Sequence, residues 1–198
     1  MDDAALIKVS GEDSIVVASD FIRGSEFYLF KLGYLNYFDI GYYLVIANLS
    51  DIAAIGANPI ALNTIIRYEK ELTDEQFTQI LEGIKTAADE FKVRVIGGDI
   101  GGHNSNVLAA TAIGLVKTES ALLRKNVKDS DLLCVTGSVG LPITALIYFK
   151  KAKLRGLIFT FEEEEKLLQS WKRPSARVKE GLISEGQFPA ALRRKMQR

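Results

Sequence analysis

The sequence of 198 residues contains one cysteine, one histidine and no excess of charge of either sign. Cys134 cannot form a disulfide within the chain, which favours a reducing compartment and therefore a cytoplasmic protein. Because its neighbours in the run 132–135 are apolar, we interpret this cysteine as a small core residue. His103 lies in a Gly/Asn/Ser-rich segment, and no GxSxG motif accompanies it, which argues against a Ser-His-Asp hydrolase.

Basic excess and long apolar runs are also missing. Lysine and arginine number 25, as do aspartate and glutamate, so the formal net charge is zero and a non-specific nucleic-acid binder is disfavoured. No apolar stretch approaches the roughly 18 residues that a membrane span needs. The N-terminus carries no signal-type segment. We therefore expect a partner that is a small molecule or another protein, with no nucleic acid and no membrane.

Hydrophobic residues make up 47% of the chain, enough for a real core, and their spacing predicts an α/β (α+β) fold. Strands are predicted at residues 14–19, 61–67, 93–96, 107–116 and 132–136. Helices are predicted at residues 39–57, 73–91, 141–151 and 162–171. Thr73 and Gln76 have the spacing of a capping box, which makes the second helix the clearest prediction. Two strands follow each other after Asp99, so we expect a mixed sheet packed against helices.

The polar stretch 118–131 is predicted to link two domains, residues 1–117 and residues 118–198. In the second of these, four consecutive glutamates at 162–165 open a predicted helix. Carboxylates are favourable at a helix N-terminus, so we interpret this run as helix decoration rather than a metal site.

Three aspartates stand beside apolar or small residues, where an ionised carboxylate is costly unless it is paired or binds a cation. They are Asp20, after the strand 14–19, Asp51, within the helix 39–57, and Asp99, after Gly97-Gly98. Magnesium prefers oxygen ligands and commonly bridges carboxylates to phosphates, so aspartates that meet in one cleft would suit a metal–nucleotide site. The alternative is that each aspartate has only a local structural role, because Asp20 and Asp99 also fit polar strand terminators and Asp51 also fits a cap.

Glycines flank the last of these aspartates, at 97–98 and 101–102, and recur in the segment 136–140. Glycine permits positive φ angles and close backbone approach, so such segments can hold phosphate through their amides. They fit ordinary turns equally well, and no Walker-type Lys-Ser/Thr follows them.

Six strings occur in an order that identifies a family: DDAALI, VVASD, DIGYYLVIANLSDIAAIGANP, VIGGD, ALLRKNVKDSDLLCVTGSVG and KRPSARVKEG. Over residues 2–181 the chain resembles the thiamine-monophosphate kinases, which share a superfamily with aminoimidazole ribonucleotide synthetase. The resemblance implies an N-terminal ATP-binding domain that forms a homodimer through its sheet. It also implies transfer of the γ-phosphoryl group of ATP to thiamine monophosphate, with Mg²⁺ as cofactor.

The resemblance also assigns roles to individual residues. The implied metal ligands are Asp3, Ser19, Asp20, Asp51 and Asp99, with Asp51 bridging several ions. Gly98, Asp99 and Arg124 would contact the nucleotide.

Two departures from the family pattern leave alternatives open. Glu26 stands where the family has a substrate-contacting histidine, in a stretch one residue shorter. The DxSDG motif that supplies second-domain metal ligands does not occur in the sequence, which implies an incomplete second domain and impaired turnover. The alternatives are an ATP-binding relative with another phosphate acceptor, and a catalytically incomplete dimerising module.

Overall fold

The computed structural model describes residues 2–24, 27–129, 135–152 and 156–187. The strands within these ranges are β1 (Ala5–Ser10), β2 (Asp13–Ile22), β3 (Asn58–Glu69), β4 (Arg94–His103) and β5 (Val107–Lys117). The α-helices are α1 (Tyr28–Lys31), α2 (Tyr37–Ala54), α3 (Asp74–Glu90), α4 (Leu141–Ile147), α5 (Phe161–Lys172) and α6 (Val178–Gln187). None of these helices is long and apolar enough to cross a bilayer.

The strands form one mixed sheet in the order β1-β2-β5-β3-β4. Strands β3 and β4 run parallel and are joined through α3, whereas the other neighbouring pairs are antiparallel. The predicted mixed sheet packed against helices is confirmed. One parallel pair is enough to require a crossover helix, and α3 is that helix.

Helix α2 covers one face of the sheet and is itself almost wholly buried, with α3 packed on it. Two glycines let the two helices approach closely. A Cβ atom on Gly41 would lie 2.1 Å from the carbonyl oxygen of Ile80, and one on Gly83 would lie 2.1 Å from that of Phe38. Any larger side chain at either position would force the helix backbones apart.

Both helices begin where their side chains can cap them. Asn36 and Asp39 form a capping box at the start of α2, and Thr73 and Gln76 form the predicted one at the start of α3. Helix α2 therefore starts earlier than the predicted residue 39 and ends at Ala54, before residue 57. Each box satisfies two amides that the first turn leaves without helical partners.

The buried cap of α2 is also an anchor for the C-terminal helices. Arg173, just after α5, donates from Nη1 to Asp39 Oδ1 over 2.7 Å, and its guanidinium lies over the rings of Phe38 and Tyr42. Because Asp39 is only 3% exposed, this ion pair supplies the charge partner that a buried carboxylate needs.

The apolar interior has two parts. The larger one lies between the sheet and α2, and it also takes in Ala176 and Val178 at the start of α6. The smaller one joins Leu29 and Leu35 to residues of α4 and α5. Residues from both predicted domains thus contribute to each part, while the boundary near 117 itself stays a prediction.

Several elements differ from the prediction. Strand β4 continues through the GGDIGG stretch to His103, paired with β3 as far as Glu69, so this stretch is strand and not a turn. Strand β1 and helices α1 and α6 were not predicted. Of the predicted strand 132–136, residues 132–134, including Cys134, lie outside the described residues, and Val135 and Thr136 are not in a strand. The helices predicted at 141–151 and 162–171 are confirmed, the first ending in a π-helical turn.

Candidate functional site

Two predicted site residues, one from each predicted domain, lie in contact. The Arg124 guanidinium forms an ion pair with the Asp3 carboxylate, although 121 residues separate them. The Arg124 backbone N–H also donates to Asp2 Oδ1 over 2.7 Å. The carboxylates of the adjacent residues Asp2 and Asp3 are therefore both directed towards Arg124.

The arginine is positioned by the segment before it, in the stretch 118–131 that was expected to be a polar linker. Ala121 and Leu122 are buried, and the Leu122 N–H donates to the Ile55 carbonyl at the end of α2 over 2.9 Å. Leu122 packs against Gly56, where a Cβ atom would lie 2.8 Å from it. The first part of the stretch is therefore packed on the first domain, and it brings the arginine to the last turns of α2.

Helix α2 supplies the next predicted ligand. Asn48 is fully buried, and its side chain accepts from the Asp20 N–H over 3.0 Å and donates to the Leu44 carbonyl. Asp51 lies three residues further along the helix, so it shares a helix face with Asn48, and it is only 7% exposed. Asp20 and Asp51 are thus both placed between β2 and α2.

Ser19 and Asp20 were predicted to bind metal together, but they point to opposite faces of the sheet. Ser19 is exposed, and its hydroxyl lies 2.9 Å from that of Thr111 on β5. Successive residues of a strand alternate between faces, which separates the two side chains. Within a single chain, these two side chains therefore do not form a binding site for one cation.

Asp99 also lies on the face away from α2. It pairs with Ile65, which is 43% exposed, and its carboxylate forms an ion pair of 2.5 Å with Arg67. The hydrogen bond from Arg67 lowers the pKa of the Asp99 carboxyl below its ordinary value. Gly98 has a local reason to be glycine, because a Cβ atom there would lie 1.9 Å from the Thr64 carbonyl oxygen.

The three aspartates predicted to converge are therefore not together in a single chain. Asp20 and Gly98 occupy one cross-strand row, through Ala110 and Thr64, so three strand spacings of roughly 4.8 Å separate β2 from β4. Nowhere among the described residues do three carboxylate, histidine or cysteine side chains form a group that could hold a metal ion. Glu26, the predicted substrate residue, lies outside the described residues.

The residues near Arg124 still fit magnesium, because this ion is commonly held by one or two protein carboxylates together with substrate phosphates and water. Asp2 and Asp3 offer hard oxygen donors, and the Arg124 guanidinium already places a positive charge against Asp3. These carboxylates would hold the ion, with Asp20 on β2 and Asp51 on α2 as further acidic side chains. The parallel N–H groups of the Arg124 guanidinium have a geometry that matches two phosphate oxygens.

Sequence reasoning missed two residues that shape these contacts. Asn48 carries a sequence signal, because an amide three residues before Asp51 on the apolar side of a helix needs a buried partner. Arg67 carries none, because its pairing with Asp99 depends on the parallel register of two strands that are distant in sequence.

Comparisons with known proteins agree with the fold. The family model described as "AIR synthase related protein, N-terminal domain" matches residues 1–116. A thiamine-monophosphate kinase of Pyrococcus abyssi is 31% identical over 181 residues, which are 91% of this chain and 54% of the relative. The chain spans about half the length of the curated relatives it matches.

Solved structures show the same similarity. A thiamine-monophosphate kinase from Stenotrophomonas maltophilia is 28% identical with a TM-score of 0.74, covering 93% of this chain and 57% of that one. A ThiL protein in complex with AMPPCP and TMP has a TM-score of 0.73 with the same coverage, and at 18% identity it supports the fold alone.

Proposed function

Because this chain belongs to the family of AIR synthase related proteins, we propose that it is a kinase-type phosphotransferase that transfers the γ-phosphoryl group of ATP to thiamine monophosphate. The observation that carries the proposal is the 31% identity, over 91% of the chain, to a relative named thiamine-monophosphate kinase. The contact between Arg124 and Asp3 supports it, because phosphoryl transfer needs charge neutralisation and positioning more than covalent chemistry.

In this proposal the acidic residues near Arg124 hold the metal–nucleotide. A bound Mg²⁺ would neutralise phosphate charge and orient the transferred group. Asp3, Asp20 and Asp51 would hold the cation. Arg124 would donate to phosphate oxygens, which its planar fork suits better than a lysine would.

The face of the sheet away from α2 has separate roles, because Asp99 would bind a further cation there and Ser19 would assist. Gly98, in the cross-strand row of Asp20, would lie against the nucleotide. Glu26 would contact the phosphate acceptor. We propose a cytoplasmic homodimer, since the open face of the sheet carries exposed apolar residues that a second copy would cover.

Two measurements on the purified chain test the activity. Isothermal titration calorimetry with Mg-ATP should show saturable binding, and an assay with thiamine monophosphate should yield the diphosphate. Binding of Mg-ATP without phosphorylation of thiamine monophosphate would favour a relative with another acceptor. Absence of Mg-ATP binding would favour the other alternative, a catalytically incomplete dimerising module.

Replacement of Asp51 by Asn tests the cation site by a different route. Magnesium should raise the melting temperature of the parent, because a ligand held by the folded state alone stabilises by about 2.7 kcal/mol at a hundred times its Kd. Asp51→Asn should lose most of this gain, since an amide lacks the charge. Asp89→Asn is the matched control, because Asp89 is an exposed helical residue paired with Lys85. Equal magnesium shifts in all three proteins would contradict the assignment.

A further inference from the structure

We propose that Arg124 is the internal counter-ion of the cation site: it holds Asp3 in the metal-free protein, and a divalent cation binds Asp3 in exchange for it. The exchanged guanidinium then becomes available to phosphate. This inference rests on the proposed function for the identity of the ligands, but it concerns the order of events at the site. Metal binding and phosphate binding become two parts of one exchange.

The first step of the argument is that Arg124 is held through its side chain and, separately, through its backbone. Its side chain pairs with Asp3, while its backbone N–H donates to Asp2 Oδ1 over 2.7 Å. The backbone is further fixed by buried Leu122, two residues earlier, whose N–H is bound to the Ile55 carbonyl. The guanidinium can therefore leave Asp3 while the backbone of Arg124 keeps its place.

The second step is electrostatic. A guanidinium and a divalent cation compete for the same carboxylate oxygen, and their like charges repel each other at such short range. Asp3 is the more enclosed partner, with 24% of its side chain exposed against 44% for Arg124. The carboxylate is therefore held in place, and the arginine has the room to move towards solvent or a ligand.

The third step concerns where the arginine goes. Released from Asp3, its fork can form two parallel hydrogen bonds with phosphate oxygens, a geometry that a point charge does not reproduce. A nucleotide that carries the metal supplies those oxygens beside Asp3. Cation and phosphate should consequently bind with positive coupling, and the coupling should depend on Arg124.

A lysine–aspartate pair on α3 provides the matched control. Lys85 and Asp89 form an ion pair of 2.5 Å, with side chains 76% and 64% exposed, and neither residue is a proposed ligand. Replacement of Lys85 or of Arg124 by glutamine changes the net charge by the same amount. Only Arg124→Gln removes a competitor from a carboxylate that is proposed to bind a cation.

The experiment measures Mn²⁺ binding to the full chain by electron paramagnetic resonance, first without nucleotide. Mn²⁺ takes the same oxygen ligands as Mg²⁺. Arg124→Gln should bind Mn²⁺ about fivefold more tightly than the parent, a typical coupling between two sites. Lys85→Gln and the charge-conserving Arg124→Lys should stay near the parent, and Asp3→Asn should bind more weakly. With the non-hydrolysable nucleotide AMPPCP added, the parent should gain Mn²⁺ affinity and Arg124→Gln should gain less.

Equal or weaker Mn²⁺ binding by Arg124→Gln than by the parent would overturn the exchange, since the arginine would then be only a structural support. An equal gain in Lys85→Gln would overturn it too, because net charge alone would explain the effect. Circular dichroism melts establish that each variant is folded. Loss of thiamine monophosphate phosphorylation with the Mn²⁺ pattern intact would refute the proposed function alone, and intact phosphorylation without that pattern would refute the exchange alone.

Discussion

The two faces of the sheet use similar residues for different purposes. On the face towards α2, Val16, Leu62 and Ala112 are fully buried. On the other face, Phe21 and Ile65 are 54% and 43% exposed, although they alternate with buried residues on the same strands. Hydrophobicity alone therefore does not say which face a single chain buries. Stability and association should be separable by substitution of alternate residues in one strand.

The largest expected difference between the faces is in the free energy of unfolding. Leu62→Ala should lower it by about 2–5 kcal/mol, because it leaves a cavity under α2. Ile65→Ala, three residues along the same strand on the open face, should change it by about 0.5 kcal/mol or less. Urea unfolding at low protein concentration measures both. Similar losses in the two variants would show that the open face is already packed.

The next effect concerns association. We expect the parent to be a homodimer through its sheet, because an open apolar face with exposed edges would otherwise aggregate. Phe21→Glu should leave the far-UV spectrum unchanged and shift the mass from dimer to monomer in sedimentation equilibrium. Leu81→Glu, an exposed apolar residue on α3, is the control and should remain dimeric. A parent that sediments as a monomer at micromolar concentration would contradict the prediction.

The smallest effect lies in the helix layer over the buried face. The Tyr42 hydroxyl donates to Glu90 over 2.7 Å, and burial followed by this hydrogen bond raises the pKa of Tyr42. Tyr42→Phe should cost about 1 kcal/mol at pH 8. A raised pKa in the folded state means that this contribution is present below the unfolded pKa of about 10 and is lost as the pH rises further.

Urea unfolding of the parent and Tyr42→Phe between pH 8 and 11 measures that loss, because the other titrating groups are common to both proteins. The difference between them should shrink above about pH 10. A difference that is already absent at pH 8 would show that the hydrogen bond contributes nothing to stability. A difference that stays constant over the whole range would contradict the raised pKa of Tyr42.

Local sequence patterns predicted well the helices α2 to α5 and the central strands of the sheet. The apolar stripe and capping box placed α3 to within a residue or two, and the apolar run of β5 was nearly complete. Within the sheet, the misses are at the edges. Strand β1 has Lys8 in its middle and is mostly exposed, so it lacks the apolar run by which a buried strand is found. Strand β4 was cut short because glycines usually indicate a turn, whereas here they allow close approach to β3.

By itself the sequence determined the element types, the family resemblance and the acidic residues, because period, capping chemistry and motif strings are local properties of the chain. Only the tertiary structure decided which of those residues meet. It placed Arg124 on Asp3, put Asp20 near the Asp51 face of α2, and sent Ser19 and Asp99 to the opposite side of the sheet. The physical reason is that side-chain direction follows from strand pleat and register, and register is set by long-range pairing that no local pattern records.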